Sequence, residues 1–182
     1  LLLLTGCSSK TSMIEIQKHV YVEKEFKDSW LETNEFGDSY IKEELQGGYH
    51  YHFDQQFLEI FFNTGGKIEL YNYSIKKNDL IISGEMIPPK TIRLVHPHLD
   101  NVTSEGVIIH ELGHYFDEKH QFSSSKQFTE LYKKYRTLFN QKTKKEYFAE
   151  CFKEYVGGHQ EKVKPFHSYM KTITQKIRQK NK

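Results

Sequence analysis

His110-Glu111-Leu112-Gly113-His114, past the middle of the 182-residue chain, sets two histidines four residues apart around a glutamate. On an α-helix, residues four apart are rotated by only about 40° and separated by a rise of about 6 Å, so both imidazoles project from one face and can bind one ion. Glu111 lies about 100° round the helix from His110, so its carboxylate can reach a water molecule held by the metal without becoming a ligand. The stretch therefore predicts a metal site with a general base, and one zinc ion (Zn2+) is the cofactor that this donor set favours.

The residues around this motif favour a buried helix. Residues 107–109 and Leu112 make the other faces apolar, and an apolar helix does not bury two imidazoles without a partner. Gly113 costs a helix about 1 kcal/mol relative to alanine, and such a cost often marks the close approach of another element. Residues 100–104 offer several side-chain oxygens for an N-cap, so we expect the helix to begin between residues 102 and 104.

The whole chain has the composition of a globular protein. It carries 26 Lys and Arg against 24 Asp and Glu, a formal net charge of +2. Its apolar and aromatic residues are evenly spread, which indicates neither a disordered tail nor a nucleic-acid partner. We expect a single domain over residues 13–182, with an α/β lobe to about residue 100 and a helical lobe from about residue 101.

The N-terminus is typical of a processing segment. Four leucines and then Leu4-Thr5-Gly6-Cys7 match the end of an apolar signal segment followed by the lipobox of bacterial lipoproteins, in which the cysteine is acylated. On this interpretation residues 1–7 are a signal-peptide remnant and residues 8–12 are a tether. We therefore expect a protein of the bacterial cell envelope, anchored to the extracytoplasmic side of the membrane by a lipid on Cys7, or secreted if it is shed.

Short strand-like runs followed by helical periodicity predict an α+β fold, in which a small mixed sheet precedes the motif helix and a C-terminal helical lobe. Residues 13–46 give no clear pattern, and we expect mixed short elements there. The predicted strands and helices are strands at residues 67–73, 80–83 and 91–96, a helix capped by Asp54, helices opened by capping boxes at Ser124 with Gln127 and at Thr143 with Glu146, and an amphipathic helix from Pro165.

Two histidines leave a catalytic zinc one protein ligand short. The candidates are Glu146, Glu150 and Glu154, which form one stripe of the helix predicted over residues 145–156. Spacing alone does not choose among them. Glu146 can also be only the capping-box carboxylate, and Glu154 only a solvated charge near a helix end.

The motif helix and this second helix together resemble the catalytic domain of the anthrax lethal factor family, which includes secreted proline-directed clostridial endopeptidases. The matching stretches are His110-Glu-Leu-Gly-His114-Tyr-Phe-Asp117 and Glu146-Tyr-Phe-Ala-Glu150. The resemblance implies a zincin-like fold and a zinc metallopeptidase of the gluzincin type. It assigns Glu146 as the third ligand and Glu150 as the acceptor for a zinc-bound imidazole, and we expect Asp117, nearly on the face of His114, to play a similar part.

One position departs from the family pattern. The family has a tyrosine seven residues before the ligand glutamate, where its hydroxyl donates to the oxyanion, and this chain has Phe139 there. Tyr135 and Tyr147 are the candidates to replace it. Without either hydroxyl, the transition state would be less stable by a few kcal/mol, about the scale of losing one oxyanion donor.

The predicted function is zinc-dependent hydrolysis of peptide bonds in extracellular or cell-surface proteins, with Glu111 as the general base. By resemblance to the wider clan, the strand at residues 91–96 would be the sheet edge to which an extended peptide adds. One alternative is a lethal factor-like docking module that binds zinc with little or no turnover. Another is a structural lipoprotein of the envelope in which the motif is accidental.

Overall fold

The computed structural model describes residues 12–33, 37–77, 80–96, 105–141 and 143–180, and gives only the backbone for Lys77 and Leu80. The lipobox Cys7, its tether and the N-cap oxygens predicted at residues 100–104 lie outside the described residues. Within the described ranges, no helix is long and apolar enough to cross a lipid bilayer.

A five-stranded mixed sheet forms the N-terminal lobe. Its strands are β1 (Met13–Gln17), β2 (Val20–Glu23), β3 (Lys67–Tyr71), β6 (Gly84–Ile87) and β7 (Thr91–Val95). They lie in the order β1-β2-β3-β7-β6, in which β2, β3 and β7 are parallel and both edge strands are antiparallel to their neighbours. Two short strands, β4 (Ile75–Lys77) and β5 (Leu80–Ile82), pair as a hairpin that leads into β6.

The expectation that residues 91–96 form the sheet edge is wrong. β7 lies between β3 and β6, and β6 is the edge strand on that side of the sheet. The physical reason is that β6 folds back beside β7 and pairs antiparallel with it, so β7 has hydrogen-bonded neighbours on both sides. β6 begins Gly84-Glu85 and lacks the alternation that marks a strand in a sequence.

The α-helices in the described ranges are α1 (Lys27–Leu31), α2 (Tyr40–Gln46), α3 (Gln56–Asn63), α4 (Val107–His120), α5 (Lys126–Tyr135), α6 (Lys144–Val156) and α7 (His167–Gln179). Short 3-10 helices precede α5 and α7, at Phe122–Ser124 and Gln160–Phe166. α4 and α6 form the central pair. The predicted α+β fold, with a small mixed sheet, the motif helix and a C-terminal helical lobe, is confirmed.

The helix starts agree only in part with the predicted caps. Thr143 opens α6 as predicted, because its hydroxyl accepts a hydrogen bond from the Glu146 N–H at 3.2 Å. Asp54 accepts from the N–H of Gln56 at the start of α3. The cap of α5 is Ser125 instead of Ser124, because Ser124 ends the preceding 3-10 helix.

The start of α4 differs most from its prediction. The helix begins at Val107, after Gly106 in the left-handed region (φ 71°), instead of between residues 102 and 104. A Cβ at Gly106 would lie 2.9 Å from the Tyr51 ring, so glycine permits both the turn and the close approach of Tyr51. At the other end of the chain, α7 begins at His167 instead of Pro165, because residues 160–166 form a 3-10 helix.

Aromatic side chains connect the sheet-side helices to the C-terminal lobe. Phe57 of α3 contacts Phe116 of α4 and Phe152 of α6, with ring centroids 5.9 and 5.4 Å apart. All three side chains are fully buried. Between α4 and α6, Gly113 faces Ala149, and a Cβ at Gly113 would lie only 2.9 Å from the Ala149 Cα. This is the close approach that the glycine within the motif helix predicts.

Candidate metal and catalytic site

Three side chains from α4 and α6 converge on one point. The Nε2 atoms of His110 and His114 are 3.1 Å apart, and Glu146 Oε2 lies 3.3 Å from each of them. A tetrahedral zinc ion with ligands at about 2.1 Å has its ligand atoms about 3.4 Å apart. The donor types and their spacing therefore fit zinc, and they form the one such group in the part of the chain that the structure describes.

Each helix supplies its ligands for a local reason. His110 and His114 share a face of α4 because they are one turn apart. Glu146 lies in the first turn of α6, whose start is fixed by the Thr143 cap. The contact between Gly113 and α6 brings the two helices close enough for the three donor atoms to meet.

The electrostatics favour a cation at this point. Burial lowers the pKa of His110, but hydrogen bonds with Glu146 and Glu150 outweigh burial and raise that pKa to about 9. Hydrogen bonds with His110 and His114 hold the pKa of Glu146 far below its usual value. In the metal-free protein the cluster thus binds a proton that a divalent cation would displace.

Glu150 lies one turn after Glu146 on α6 and faces the other nitrogen of His110. Its Oε2 is 3.3 Å from His110 Nδ1, the position that the resemblance implies for an acceptor. Burial raises the pKa of Glu150, but hydrogen bonds from His110 and Lys153 lower it below its usual value overall. Glu150 is therefore ionised at neutral pH and can hold the imidazole with Nε2 toward the ligand cluster.

Asp117 has partners other than those expected. Its two carboxylate oxygens accept from the backbone N–H and the hydroxyl of Ser123, each at 2.6 Å. The carboxylate is buried and ties the end of α4 to the 3-10 helix at Phe122–Ser124. Its hydrogen bonds thus go to Ser123 and not to His114.

Glu111 occupies the boundary between α4 and the sheet edge. Its side chain is buried, and it accepts a hydrogen bond from the backbone N–H of Met86 in β6. Burial raises the pKa of this carboxyl, although the neighbouring histidines act in the opposite direction. A carboxylate in such surroundings is a stronger base than one in water.

A cleft of about 550 Å³ opens beside the three donor atoms. Strand β6 and the end of the β4–β5 hairpin form one wall, α4 forms the floor, and the start of α6 forms the other wall. The lining residues are Ile82, Gly84, Glu85, Met86, Pro88, His110, Glu111, His114, Asp117, Glu118, Thr143, Lys145 and Glu146. A smaller recess of about 320 Å³ shares Ile82, Gly84, His110 and Glu111 with this cleft.

Neither candidate oxyanion tyrosine lines the cleft. Tyr147 is fully buried on the far side of α6, and its hydroxyl donates to the backbone carbonyl of Tyr135 at 2.6 Å. Phe139 packs on the Tyr147 ring with centroids 5.2 Å apart. Among the described residues, the cleft has no tyrosine hydroxyl among its lining side chains.

Three charged residues of the cleft, Glu85, Glu118 and Lys145, were not predicted from the sequence. Lys145, next to Glu146, extends toward Glu118 of α4, with Nζ 3.5 Å from Oε2 in an exposed pair. A signal for Glu118 was present, because residues 110, 114 and 118 continue one helical stripe. Lys145 carried no such signal, since only the packing of α6 on α4 brings it to the cleft.

No family model matches the chain, and no curated protein sequence matches it. Among solved structures it is similar to the Pro-Pro endopeptidase PPEP-2 from Paenibacillus alvei, with a TM-score of 0.52 over 66% of this chain and 84% of that chain. The chain shares the fold of that endopeptidase. The sequence identity is 15%, so the likeness establishes the fold alone. It confirms the zincin-like fold that the resemblance to the lethal factor family implies.

Proposed function

We propose that this protein is a zinc-dependent endopeptidase. The observation that carries the proposal is the meeting of His110, His114 and Glu146 at the spacing of a tetrahedral zinc site, with the buried Glu111 beside them. Such a site has three protein ligands and a base, which is the composition of a catalytic zinc centre. The fold shared with a Pro-Pro endopeptidase supports the same conclusion.

The residues around the ligands have distinct parts in this proposal. Zinc bound here would supply Lewis acidity, which polarises a peptide carbonyl and lowers the pKa of a water molecule toward about 7. Glu111 accepts the proton of the attacking water on its carboxylate and later transfers it to the leaving amine. The Met86 N–H holds that carboxylate in place. Glu150 orients His110 through Nδ1.

The outer edge of β6 is the proposed binding site for an extended peptide. The Val95 N–H donates to the Ser83 carbonyl, so by alternation Gly84 and Met86 direct their backbone polar groups away from β7. The Met86 N–H donates a hydrogen bond to the Glu111 carboxylate. The Gly84 N–H and carbonyl and the Met86 carbonyl are then available to pair with substrate, which gives affinity through main-chain hydrogen bonds.

The substitution Glu111→Gln tests the activity. It keeps the shape of the side chain and leaves the three ligands intact, so the variant should retain one zinc per chain yet cleave no peptide in a library digest read by mass spectrometry. Glu130→Gln, on the exposed face of α5, is the matched control and should cleave like the wild type. Cleavage by the Glu111→Gln variant at the wild-type rate would rule out the proposed mechanism.

A docking module that binds zinc with little turnover is the second candidate. The observation that favours it is the missing hydroxyl, because Phe139 replaces the family tyrosine and the Tyr147 hydroxyl is bound to Tyr135. Stoichiometric zinc without hydrolysis of any library peptide, together with a specific protein captured by the wild type, would favour this function over the peptidase.

We infer from the lipobox that the substrates are proteins at the outer face of the bacterial membrane. Cys7 lies outside the described residues, and the inference rests on the stretch Leu4-Thr5-Gly6-Cys7 alone. Expression in a bacterium fed a labelled fatty acid should label the wild type and fail to label Cys7→Ser. Equal labelling of both proteins would remove the basis for this location.

A further inference from the structure

A chain of charged groups extends from His110 away from the cleft. Glu150 holds His110 Nδ1 with Oε2, and its other oxygen, Oε1, accepts from the ammonium of Lys153 at 2.7 Å. The side chains of Glu150 and Lys153 are only 15% and 16% exposed. A salt bridge shielded to this degree fixes the direction of the carboxylate better than an exposed pair does.

Lys153 is itself held from several sides. Its ammonium lies 3.7 Å from Glu154 Oε1 and 5.9 Å from the centre of the Tyr51 ring. Its aliphatic stem runs against Gly106, where a Cβ would be 2.9 Å from the lysine Cδ. The Tyr51 hydroxyl donates to Glu154 at 3.0 Å and so closes the arrangement. These contacts leave the ammonium few positions other than the one beside Glu150.

We propose that Lys153 is a positioning residue of the metal centre, which acts on zinc through Glu150 and His110. The inference rests on the proposed zinc site. Without the ammonium, Glu150 Oε1 loses its partner and the carboxylate can rotate away from His110 Nδ1, so the imidazole loses both its orientation and part of its basicity. Groups behind a metal-bound histidine commonly change metal affinity by about 10–100-fold.

Lys162 provides a matched comparison. Its ammonium also contacts the buried Glu154, at 3.0 Å from Oε2, but its ion pairs in the described structure do not include Glu150. Replacing either lysine by methionine removes one positive charge from the surroundings of Glu154 and keeps an unbranched apolar stem. Only the replacement of Lys153 changes the group that holds His110.

The experiment measures the zinc affinity of the wild type and of three full-chain variants, Lys153→Met, Lys153→Arg and Lys162→Met, by competition with a chromophoric chelator. Lys153→Met should weaken zinc binding by about tenfold. Lys153→Arg keeps the charge and should restore most of the affinity, and Lys162→Met should bind zinc like the wild type. Thermal unfolding of each metal-free protein verifies that it is folded.

Two results would overturn the inference. One is wild-type zinc affinity in a folded Lys153→Met variant, and the other is an equal loss in Lys153→Met and Lys162→Met, which would assign the effect to the general charge around Glu154. The readout is metal affinity and not hydrolysis, so either result counts whether or not the protein cleaves peptides. The peptidase activity is decided separately by Glu111→Gln.

Discussion

The two ends of the glutamate stripe on α6 lie in different surroundings. Glu146, at the start of the helix, is 45% exposed and faces two imidazoles across an open cleft. Glu154, two turns further on, is 5% exposed and bound by the Tyr51 hydroxyl and the Lys162 ammonium. The residue type and the helix face are the same, but the exposure of the carboxylate and the groups that neutralise it differ. Glu154 has one imidazole, His159, together with two lysines, whereas Glu146 has two imidazoles and, among the described residues, no lysine in ion-pair contact. The stripe therefore offers a candidate metal site only at the end where two imidazoles meet one carboxylate beside the cleft.

The largest expected effect is at the buried end of the stripe, at Glu154. Glu154→Gln removes a buried negative charge that Lys153, Lys162 and His159 surround. The loss should lower the free energy of unfolding of the metal-free protein by about 3 kcal/mol, because the Tyr51 hydroxyl and the surrounding cations lose a buried, charged acceptor. Urea denaturation measures it, with the exposed Glu161→Gln as the control. A loss similar to that of the control would mean that the Glu154 carboxylate contributes no more to folding stability than an exposed one does.

At the open end, the effect should appear in metal binding instead of folding. Glu146→Gln should weaken zinc binding by about 100-fold, or about 2.7 kcal/mol, because a charged ligand is lost. The metal-free variant should differ from the wild type by less than about 1 kcal/mol in stability, since this carboxylate is half-exposed. Chelator competition and urea denaturation give the two values. Zinc affinity unchanged by the substitution would exclude Glu146 as the third ligand.

A smaller effect on stability should come from Tyr51, whose hydroxyl donates to Glu154 at the buried end of the stripe. Tyr51→Phe deletes the hydrogen bond to Glu154 and keeps the ring that packs against Gly106 and Gly157. A hydrogen bond to a charged group contributes about 1.5 kcal/mol or somewhat more, and urea denaturation at pH 8 should detect that loss. Tyr21→Phe is the matched tyrosine control, because the Tyr21 hydroxyl has no hydrogen bond in the part of the chain that the structure describes. Equal stability of the two variants would mean that the hydrogen bond from Tyr51 to Glu154 does not stabilise the fold.

The smallest expected effect is on the pH dependence of that difference. Burial and the adjacent Glu154 raise the pKa of Tyr51 above its usual value of 10.0. A raised pKa means that the folded state retains the proton while the unfolded chain loses it, so the contribution is complete below pH 10 and declines above it. The stability difference between wild type and Tyr51→Phe should therefore shrink from pH 8 to pH 10.5. A difference that grows over this range would contradict the sign of the shift.

Features encoded within one or two helical turns could be predicted from the sequence. The pairing of His110 with His114 and the capping of α6 by Thr143 depend only on helical spacing and a local hydrogen bond. The close approach at Gly113 was also foreseeable, because a glycine inside an apolar helix needs a packing reason. The family resemblance, and not the spacing, selected Glu146 among three glutamates.

Features that depend on tertiary contacts were missed. Asp117 has the same spacing from His114 as a supporting carboxylate would have, but the 3-10 helix after α4 brings Ser123 to it first. Tyr147 is next to a candidate ligand in sequence, but its side chain lies on another face of α6 and packs against Phe128 and Phe166. The position of β6 at the sheet edge follows from the order of the strands, which no local pattern encodes.

Gly113 limits how the candidate centre can change. Its missing methyl group sets the distance between α4 and α6, because a Cβ there would lie 2.9 Å from the Ala149 Cα and 3.2 Å from the Phe152 Cβ. Any side chain would push the helices apart, and the tolerance of a zinc–ligand bond is only about 0.2 Å. Gly113 has no functional group, yet it sets the distance between the helices that carry the three donor residues. Its replacement should therefore disrupt the centre as much as replacement of His110 or His114.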